Sequence, residues 1–303
     1  MPTNKILMIR PVNFSFNAET AVNNAFQVND AQADTQTKAA AEFNNMVHTL
    51  RSNGIDVLVI DDTPSPHTPD SIFPNNWVSF HDDGTVVLYP MFAVNRRAER
   101  KPTVLQKLFS QFEHSKLVDL SRWEEKGLFL EGTGSMVLDR ENKIAYACIS
   151  PRTNLEVLQD YCAQMNYSAV AFHASDQQDQ LIYHTNVMMC VADKYVVICL
   201  DSIRDSKEKE NLLQSIQRTG KQVVPISLAQ MNAFAGNMLQ VKNAEGNPVL
   251  VMSQQAYDAL TTDQVKTLAA FNPILSASLD TIEKNGGGSA RCMMAEIYLP
   301  EKV

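Results

Sequence analysis

The sequence predicts a mixed α/β fold, in which five hairpin–helix–strand units form a propeller-like ring of approximate five-fold pseudosymmetry. Three observations carry the prediction. β-Hairpins recur along the chain. A helical stretch and then a short apolar strand follow each one in the same order. The two chain ends supply the halves of one further hairpin. Read this way, residues 1–303 form a single domain, although length alone would suggest about two.

The elements follow in chain order. Residues 6–12 read as a strand with no partner before it. A helix over 31–51, stopped by Gly54, and a strand over 55–60 come next. The first complete hairpin pairs 76–80 with 85–89 around Asp82-Asp83-Gly84. The second pairs 135–138 with 144–148, the third 187–191 with 195–200, and the fourth 238–241 with 249–252. The helices that follow are expected over 94–112, 154–165, 202–219 and 254–270, and the closing strands over 117–120, 169–172, 222–226 and 274–279. The charge run Arg204 to Glu210 reads as the solvated face of the third helix. The unit repeats at roughly 50–56 residues. A last strand over 292–299 has no partner after it. Pairing it with 6–12 completes a fifth unit, closes the ring and removes open edges.

Composition narrows the function classes. The net charge is −8 with scattered bases, which argues against a nucleic-acid surface. No apolar run approaches the roughly 20 residues of a membrane span, and the first ten residues show no secretory pattern. Five cysteines without a CxxC pair argue against a zinc ribbon or a thioredoxin motif, so a reduced, cytoplasmic setting is expected. There is no HExxH, no Asp-rich loop, and no phosphate-loop lysine after Gly132-Thr133-Gly134. Neither metal nor cofactor is expected.

A ring of repeats brings equivalent positions together near its axis. The residue just before each hairpin is Asn76, Glu131, His184 or Asn237, and Cys292 begins the last strand. A thiol, an imidazole and a carboxylate are the parts of a nucleophile–base–carboxylate site. Each alone has a plain structural reading: a buried thiol, a satisfied histidine, a turn carboxylate. Only 11 glycines occur, yet three are consecutive at Gly286-Gly287-Gly288, just ahead of Cys292. Such a loop lets backbone approach a ligand closely. Cys148, Cys162, Cys190 and Cys199 lie in apolar patterns and read as packing residues.

A late Cys behind a Gly-rich loop, the mid-chain His184-Thr185-Asn186 and the upstream Glu131-Gly132 occur together in one superfamily. Along essentially its whole length the sequence resembles the pentein, or guanidino-group-modifying, enzymes. Phe73-Pro74-Asn75-Asn76-Trp77, with Asn95-Arg96-Arg97-Ala98-Glu99-Arg100, looks most like the arginine deiminase-related branch that includes citrulline hydrolases. The resemblance implies a five-bladed α/β propeller with Cys292 as nucleophile, His184 as acid/base and Glu131 as its carboxylate partner. It also implies Arg152 and Arg96 or Arg97 as carboxylate-binding residues, a role suited to planar guanidinium. For Arg96 and Arg97 a surface charge at a helix start is the competing reading.

Two departures set the expected substrate. Arginine deiminases hold the cationic guanidinium with aspartates at two places that correspond to Asn76 and Asn186. An amide both donates and accepts, and it removes the charge that suits a cation. Asn76, Asn186 and Asn237, with backbone N–H groups of the loop at Gly288, therefore suit a neutral ureido group. The expected activity is hydrolysis of a small amino acid, citrulline, to ornithine, ammonia and CO₂ through an S-carbamoyl Cys292. The alternatives are a deiminase or dihydrolase of arginine, dimethylarginine or succinylarginine, an amidinotransferase, and a non-catalytic binding protein of the same ring fold. A homodimer is compatible with this reading.

Overall fold

The structure is a computed structural model, and it describes residues 2–30 and 32–302. Its strands are β1 (Lys5–Arg10), β2 (Asp56–Asp61), β3 (Val78–Phe80), β4 (Thr85–Leu88), β5 (Lys116–Asp119), β6 (Val137–Asp139), β7 (Ile144–Cys148), β8 (Ser168–Phe172), β9 (Met189–Val191), β10 (Tyr195–Ile198), β11 (Gln222–Pro225), β12 (Leu239–Lys242), β13 (Pro248–Ser253), β14 (Ile274–Ala277) and β15 (Ala295–Glu296).

These strands form five three-stranded sheets on one plan. In β3-β4-β5, β6-β7-β8, β9-β10-β11 and β12-β13-β14 the middle strand pairs antiparallel with its hairpin partner. It pairs parallel with the strand that follows the helix. The middle strands β4 and β10, TVVL and YVVI, are buried at every residue. Continuous β-branched runs are what a strand covered on both faces requires. The fifth sheet, β15-β1-β2, joins the chain ends: Ile6 pairs with Glu296 and Leu7 with Ala295, antiparallel, while β2 lies parallel to β1. Five repeats of one strand order fit a pseudo-five-fold ring.

Several boundaries differ from the expectations. The helix expected over 94–112 is two helices, Val94–Arg97 and Pro102–Phe109. Pro102 has no N–H to continue a helix but fits the first turn of a new one. The helix expected over 254–270 breaks into Gln254–Ala259 and Thr262–Ala269, because Thr261 and Gln264 form a capping box. The third helix starts at Ser206, capped by the Asp205 side chain. The first runs Thr35–Ser52, and its expected first residue, Ala31, lies outside the described residues. The last strand, expected over 292–299, is the two-residue β15. Cys292 sits instead in a turn where its N–H donates to the Ser289 carbonyl at 2.9 Å. Helices Ala18–Ala21, Leu228–Asn232 and Asp280–Gly286 were not expected. Among the described residues no helix is long and apolar enough to cross a membrane.

The feature that positions the site is the entry to each hairpin. Helical turns Pro74–Asn76, Gly132–Ser135 and Thr185–Met188 precede three of them and pack on one another. Thr133 Oγ1 donates to the Asn75 carbonyl at 3.3 Å, and Thr185 Oγ1 donates to the Ser135 carbonyl at 2.6 Å. These bonds satisfy buried helix-end carbonyls and lock the entries to each other.

Candidate active site

The packed entries bring Asn76, Glu131 and His184 to one buried place, where Asn237 joins them from the fourth hairpin and Cys292 from the C-terminal turn. A tight cavity is lined by Asp70, Asn76, Arg96, Arg152, His184 and Cys292, among others. The loop Gly286–Gly288, Phe73 and Tyr183 complete its walls, and Thr20 and Asn24 close it on the N-terminal side. Cys292 is 2% exposed. Its Sγ receives the Asn237 Nδ2 at 3.3 Å and the Asn186 Nδ2 at 3.4 Å. Asn237 is held in place by its own bonds: Nδ2 also donates to the Asn186 carbonyl, and Oδ1 accepts the Arg291 N–H at 3.0 Å. The Asn237 Oδ1 also lies 3.7 Å from Sγ, as an acceptor for the thiol.

Glu131 is the N-cap of one helical turn and His184 the N-cap of another. His184 Nε2 meets Glu131 Oε2 at 2.8 Å, which leaves Nδ1 for proton exchange. The other carboxylate oxygen accepts the Phe92 N–H at 2.9 Å. Burial opposes the Glu131 charge. Arg152 at 3.6 Å, the His184 hydrogen bond and Arg96 at 3.9 Å outweigh it and hold the carboxyl at about 2. Burial likewise pushes the His184 imidazole down, to about 4, against the pull of Glu131. The resting site therefore holds a carboxylate and a neutral imidazole at neutral pH.

Both shifts act on stability in the same direction. A histidine depressed from 6.5 to about 4 and a glutamate depressed from 4.5 to about 2 both bind protons more readily in the unfolded chain. His184 contributes stability above pH 6.5 that is lost as pH falls toward 4. Glu131 contributes stability above pH 4.5 that is lost as pH falls toward 2. Glu99, raised by burial to about 7, acts in the opposite sense, so the prediction is a difference: between pH 7 and pH 4 the melting temperature of the unmodified chain is expected to fall relative to that of His184→Gln. Equal slopes for the two proteins would contradict the assignment of that loss to His184.

The two arginines occupy different parts of the wall. Arg96 grips Glu99 through Nε (2.9 Å) and Nη2 (3.0 Å) and donates through Nη1 to the Asn76 Oδ1 at 2.8 Å. This fixes the Asn76 amide with its Nδ2 on the other side. Arg152 donates to the Asn23 Oδ1 at 2.7 Å and to the Thr20 carbonyl at 2.6 Å, and lies over the Tyr183 ring at 4.9 Å. Among the described residues its Nη1 has only the long contact to Glu131, so donors remain for a ligand. Arg97 is not brought to the cavity. It turns to the Met91 carbonyl at 3.1 Å and to Glu124 at 3.6 Å, half-exposed on the far side of its short helix.

Glycines make room for the chemistry at two points. A Cβ at Gly134 would lie 2.5 Å from the Asn76 Nδ2 and 2.7 Å from the His184 Nδ1. Gly134→Ala must displace one of them, and a misplacement of about 1 Å costs on the order of 10²-fold. The expected result is a loss of that size in kcat with little change in melting temperature. Gly287, at φ +63°, is the left-handed cap of helix Asp280–Gly286. Its carbonyl accepts the Tyr183 hydroxyl at 2.5 Å and the Asn24 Nδ2 at 3.2 Å.

Sequence reading missed three contributors. Asp70 is buried, and its Oδ1 has no hydrogen-bond partner among the described residues; its Oδ2 accepts from Asn17 and Thr20 and lies 3.8 Å from the Arg96 Nε. Burial raises its carboxyl although Arg96 opposes this. Thr20 and Asn24 come from an irregular N-terminal stretch. A carboxylate six residues before Asn76 was the only signal for Asp70. Among the described residues no group of His, Cys, Asp and Glu could hold a metal ion.

A family model, N,N dimethylarginine dimethylhydrolase, eukaryotic, matches residues 10–299. The chain belongs to this family. It is thus a member of an enzyme family of hydrolases, in the arginine-modifying branch of the pentein superfamily. No curated protein matches the chain by sequence. Solved structures of low identity share the pentein fold. The N-terminal domain of ArgZ, an arginine dihydrolase from the ornithine–ammonia cycle in cyanobacteria, is 17% identical over 98% of each chain, with a TM-score of 0.76. AgrE is 19% identical over 99% of this chain with a TM-score of 0.76, and this chain spans 40% of its length. A dimethylarginine dimethylaminohydrolase, captured as an adduct with S-methyl-L-thiocitrulline, is 13% identical over 98% of this chain and all of its own, with a TM-score of 0.64.

Proposed function

We propose that residues 1–303 form one catalytic domain, a five-bladed propeller, that hydrolyses the ureido group of citrulline to ornithine, ammonia and CO₂. The observation that carries this reading is the set of amides at the thiol. Asn186 and Asn237 reach Sγ, and Asn76 stands beside His184, while Glu131 is already engaged by His184 and two arginines. A neutral ureido group finds donors and acceptors there, including the unpartnered Asn186 Oδ1. A guanidinium would meet no free carboxylate at that end.

The other end of the cavity suits an amino acid. The free donors of Arg152 take the α-carboxylate, and the free Oδ1 of Asp70 takes the α-ammonium. His184 takes the thiol proton as Cys292 Sγ adds to the ureido carbon, and the amide N–H groups stabilise the oxyanion that forms. His184 delivers a proton to the departing ornithine nitrogen, leaving an S-carbamoyl thioester on Cys292. It then takes a proton from water, which attacks the thioester carbon. The carbamate released breaks down to ammonia and CO₂. One ArgZ variant has been solved covalently bound to a reaction intermediate, which supports a covalent route in this fold.

A second reading is hydrolysis of arginine itself, favoured by the likeness to an arginine dihydrolase. Charge separates the two. Asn76→Asp with Asn186→Asp restores anionic groups, and is expected to raise the arginine-to-citrulline ratio of kcat/KM by at least about tenfold. An unchanged ratio would remove the amides as the determinants of choice.

A further inference from the structure

Glu99 lies one turn beyond Arg96 and is buried, yet it does not line the active-site cavity. Its two oxygens accept from the Arg96 Nε at 2.9 Å and Nη2 at 3.0 Å, the fork of a carboxylate–guanidinium pair. The rest of the guanidinium faces the site. Nη2 also donates to the Phe73 carbonyl at 3.3 Å, and Nη1 donates to the Asn76 Oδ1 at 2.8 Å. A guanidinium has donors only, so the Asn76 atom that meets it is the oxygen, and Nδ2 is turned to the opposite side. There Nδ2 donates to the Asn75 Oδ1 at 3.0 Å, which leaves it one further N–H. A Cβ at Gly134 would lie 2.5 Å from this Nδ2 and 2.7 Å from the His184 Nδ1. The amide nitrogen and the ring nitrogen left for proton exchange therefore border the same space.

Arg96 has two other anions close by. Asp70 Oδ2 lies 3.8 Å from its Nε, and Glu131 Oε2 lies 3.9 Å from its Nη1. An unrestrained guanidinium would turn toward either carboxylate and release the Asn76 oxygen. The two-point grip of Glu99 opposes that turn. Glu99 is itself braced from outside the cavity by the residues that follow it. Arg100 forks onto Glu124 at 2.7 and 2.9 Å. Lys101 bonds the Asp62 carboxylate, the Thr63 hydroxyl at 2.9 Å and the Thr68 hydroxyl at 3.1 Å.

We propose that Glu99 is a positioning residue: through Arg96 it sets which end of the Asn76 amide faces the substrate. The role presupposes that Asn76 serves the substrate, as in the ureido hydrolysis proposed for this site. With Glu99 in place, the substrate oxygen meets an N–H. Without it the amide is free to turn over and offer an acceptor, which neither a ureido carbonyl nor its oxyanion can use.

The test is a double-mutant cycle on the full chain, with kcat and KM for ornithine release measured for the unmodified enzyme, Glu99→Gln, Asn76→Ala and the double variant. Burial raises the Glu99 carboxyl to about 7 against the pull of Arg96, so the assay is run at pH 8, where the carboxylate is ionised. Glu99→Gln is expected to lower kcat at least about 30-fold, with a smaller change in KM. Added to Asn76→Ala, the same change is expected to cost at least about tenfold less than it costs alone, because no amide is left to position. Equal losses in the two backgrounds would overturn the proposal. Glu99→Asp keeps the charge but is one methylene too short for the fork, so it is expected to lose activity as Glu99→Gln does. A rate near that of the unmodified enzyme would assign Glu99 a charge effect and overturn its positioning role. Glu99→Asp also takes the place of Glu99→Gln in the cycle should the latter fail to fold. The cycle is read on citrulline and on arginine. Turnover of arginine alone would overturn the ureido reading, while the coupling measured on arginine would still decide the role of Glu99.

Discussion

Cys292→Ser is expected to lower citrulline turnover by at least about 10³-fold while leaving the melting temperature within a few degrees. Sγ sits in a turn fixed by the Cys292 N–H to the Ser289 carbonyl, and two amides donate to it. A thiol is a far better nucleophile than a hydroxyl. A serine hydroxyl ionises far less readily, and the amides are too weak to deprotonate it. Oγ can still accept from Asn186 and Asn237, so packing is preserved. Steady-state ornithine release together with a thermal melt checks both halves. A rate within tenfold of the unmodified enzyme would remove Cys292 as the nucleophile.

His184→Asn is expected to cost about 10²- to 10⁴-fold in kcat, the usual weight of a positioned acid–base group. An asparagine amide ends at the place of Nδ1, short of Glu131 Oε2, so His184→Gln, whose amide reaches the place of Nε2, is the matched variant that keeps the carboxylate paired. What is lost is the group that protonates the leaving nitrogen and then activates water. Both chemical steps slow, so kcat and kcat/KM are expected to fall together with KM nearly unchanged. A rise in KM at constant kcat would assign His184 to binding instead. The depressed imidazole, at about 4, is neutral before the substrate enters and suits the base role in the second step.

The pattern of expectations met and missed has a physical cause. The pairing of the two chain ends was legible because β-branched runs and turn residues mark hairpins strongly, and an unpaired strand at each end leaves one arrangement that removes both edges. The axial residues were legible because a repeat carries equivalent positions to one place. The roof of the cavity was not: Thr20 and Asn24 lie on a stretch with neither period, and their placement depends on long-range bonds to Arg152 and Gly287. Arg96 and Arg97 are adjacent and of one type. Only the helix turn, with Glu99 three residues on, sends Arg96 inward and Arg97 out to Glu124. Long helices were overdrawn where a single Pro102 or the Thr261–Gln264 box divides them.

The amides at the thiol are the centre of the account, and substrate choice reports on them directly. The decisive measurement is ornithine release from citrulline and from arginine, side by side, on the same enzyme preparation. A kcat/KM for citrulline at least about tenfold above that for arginine is the expected result, because a guanidinium would bury its charge without a free carboxylate at that end. A preference for arginine, or no ornithine from citrulline above the blank, would contradict it.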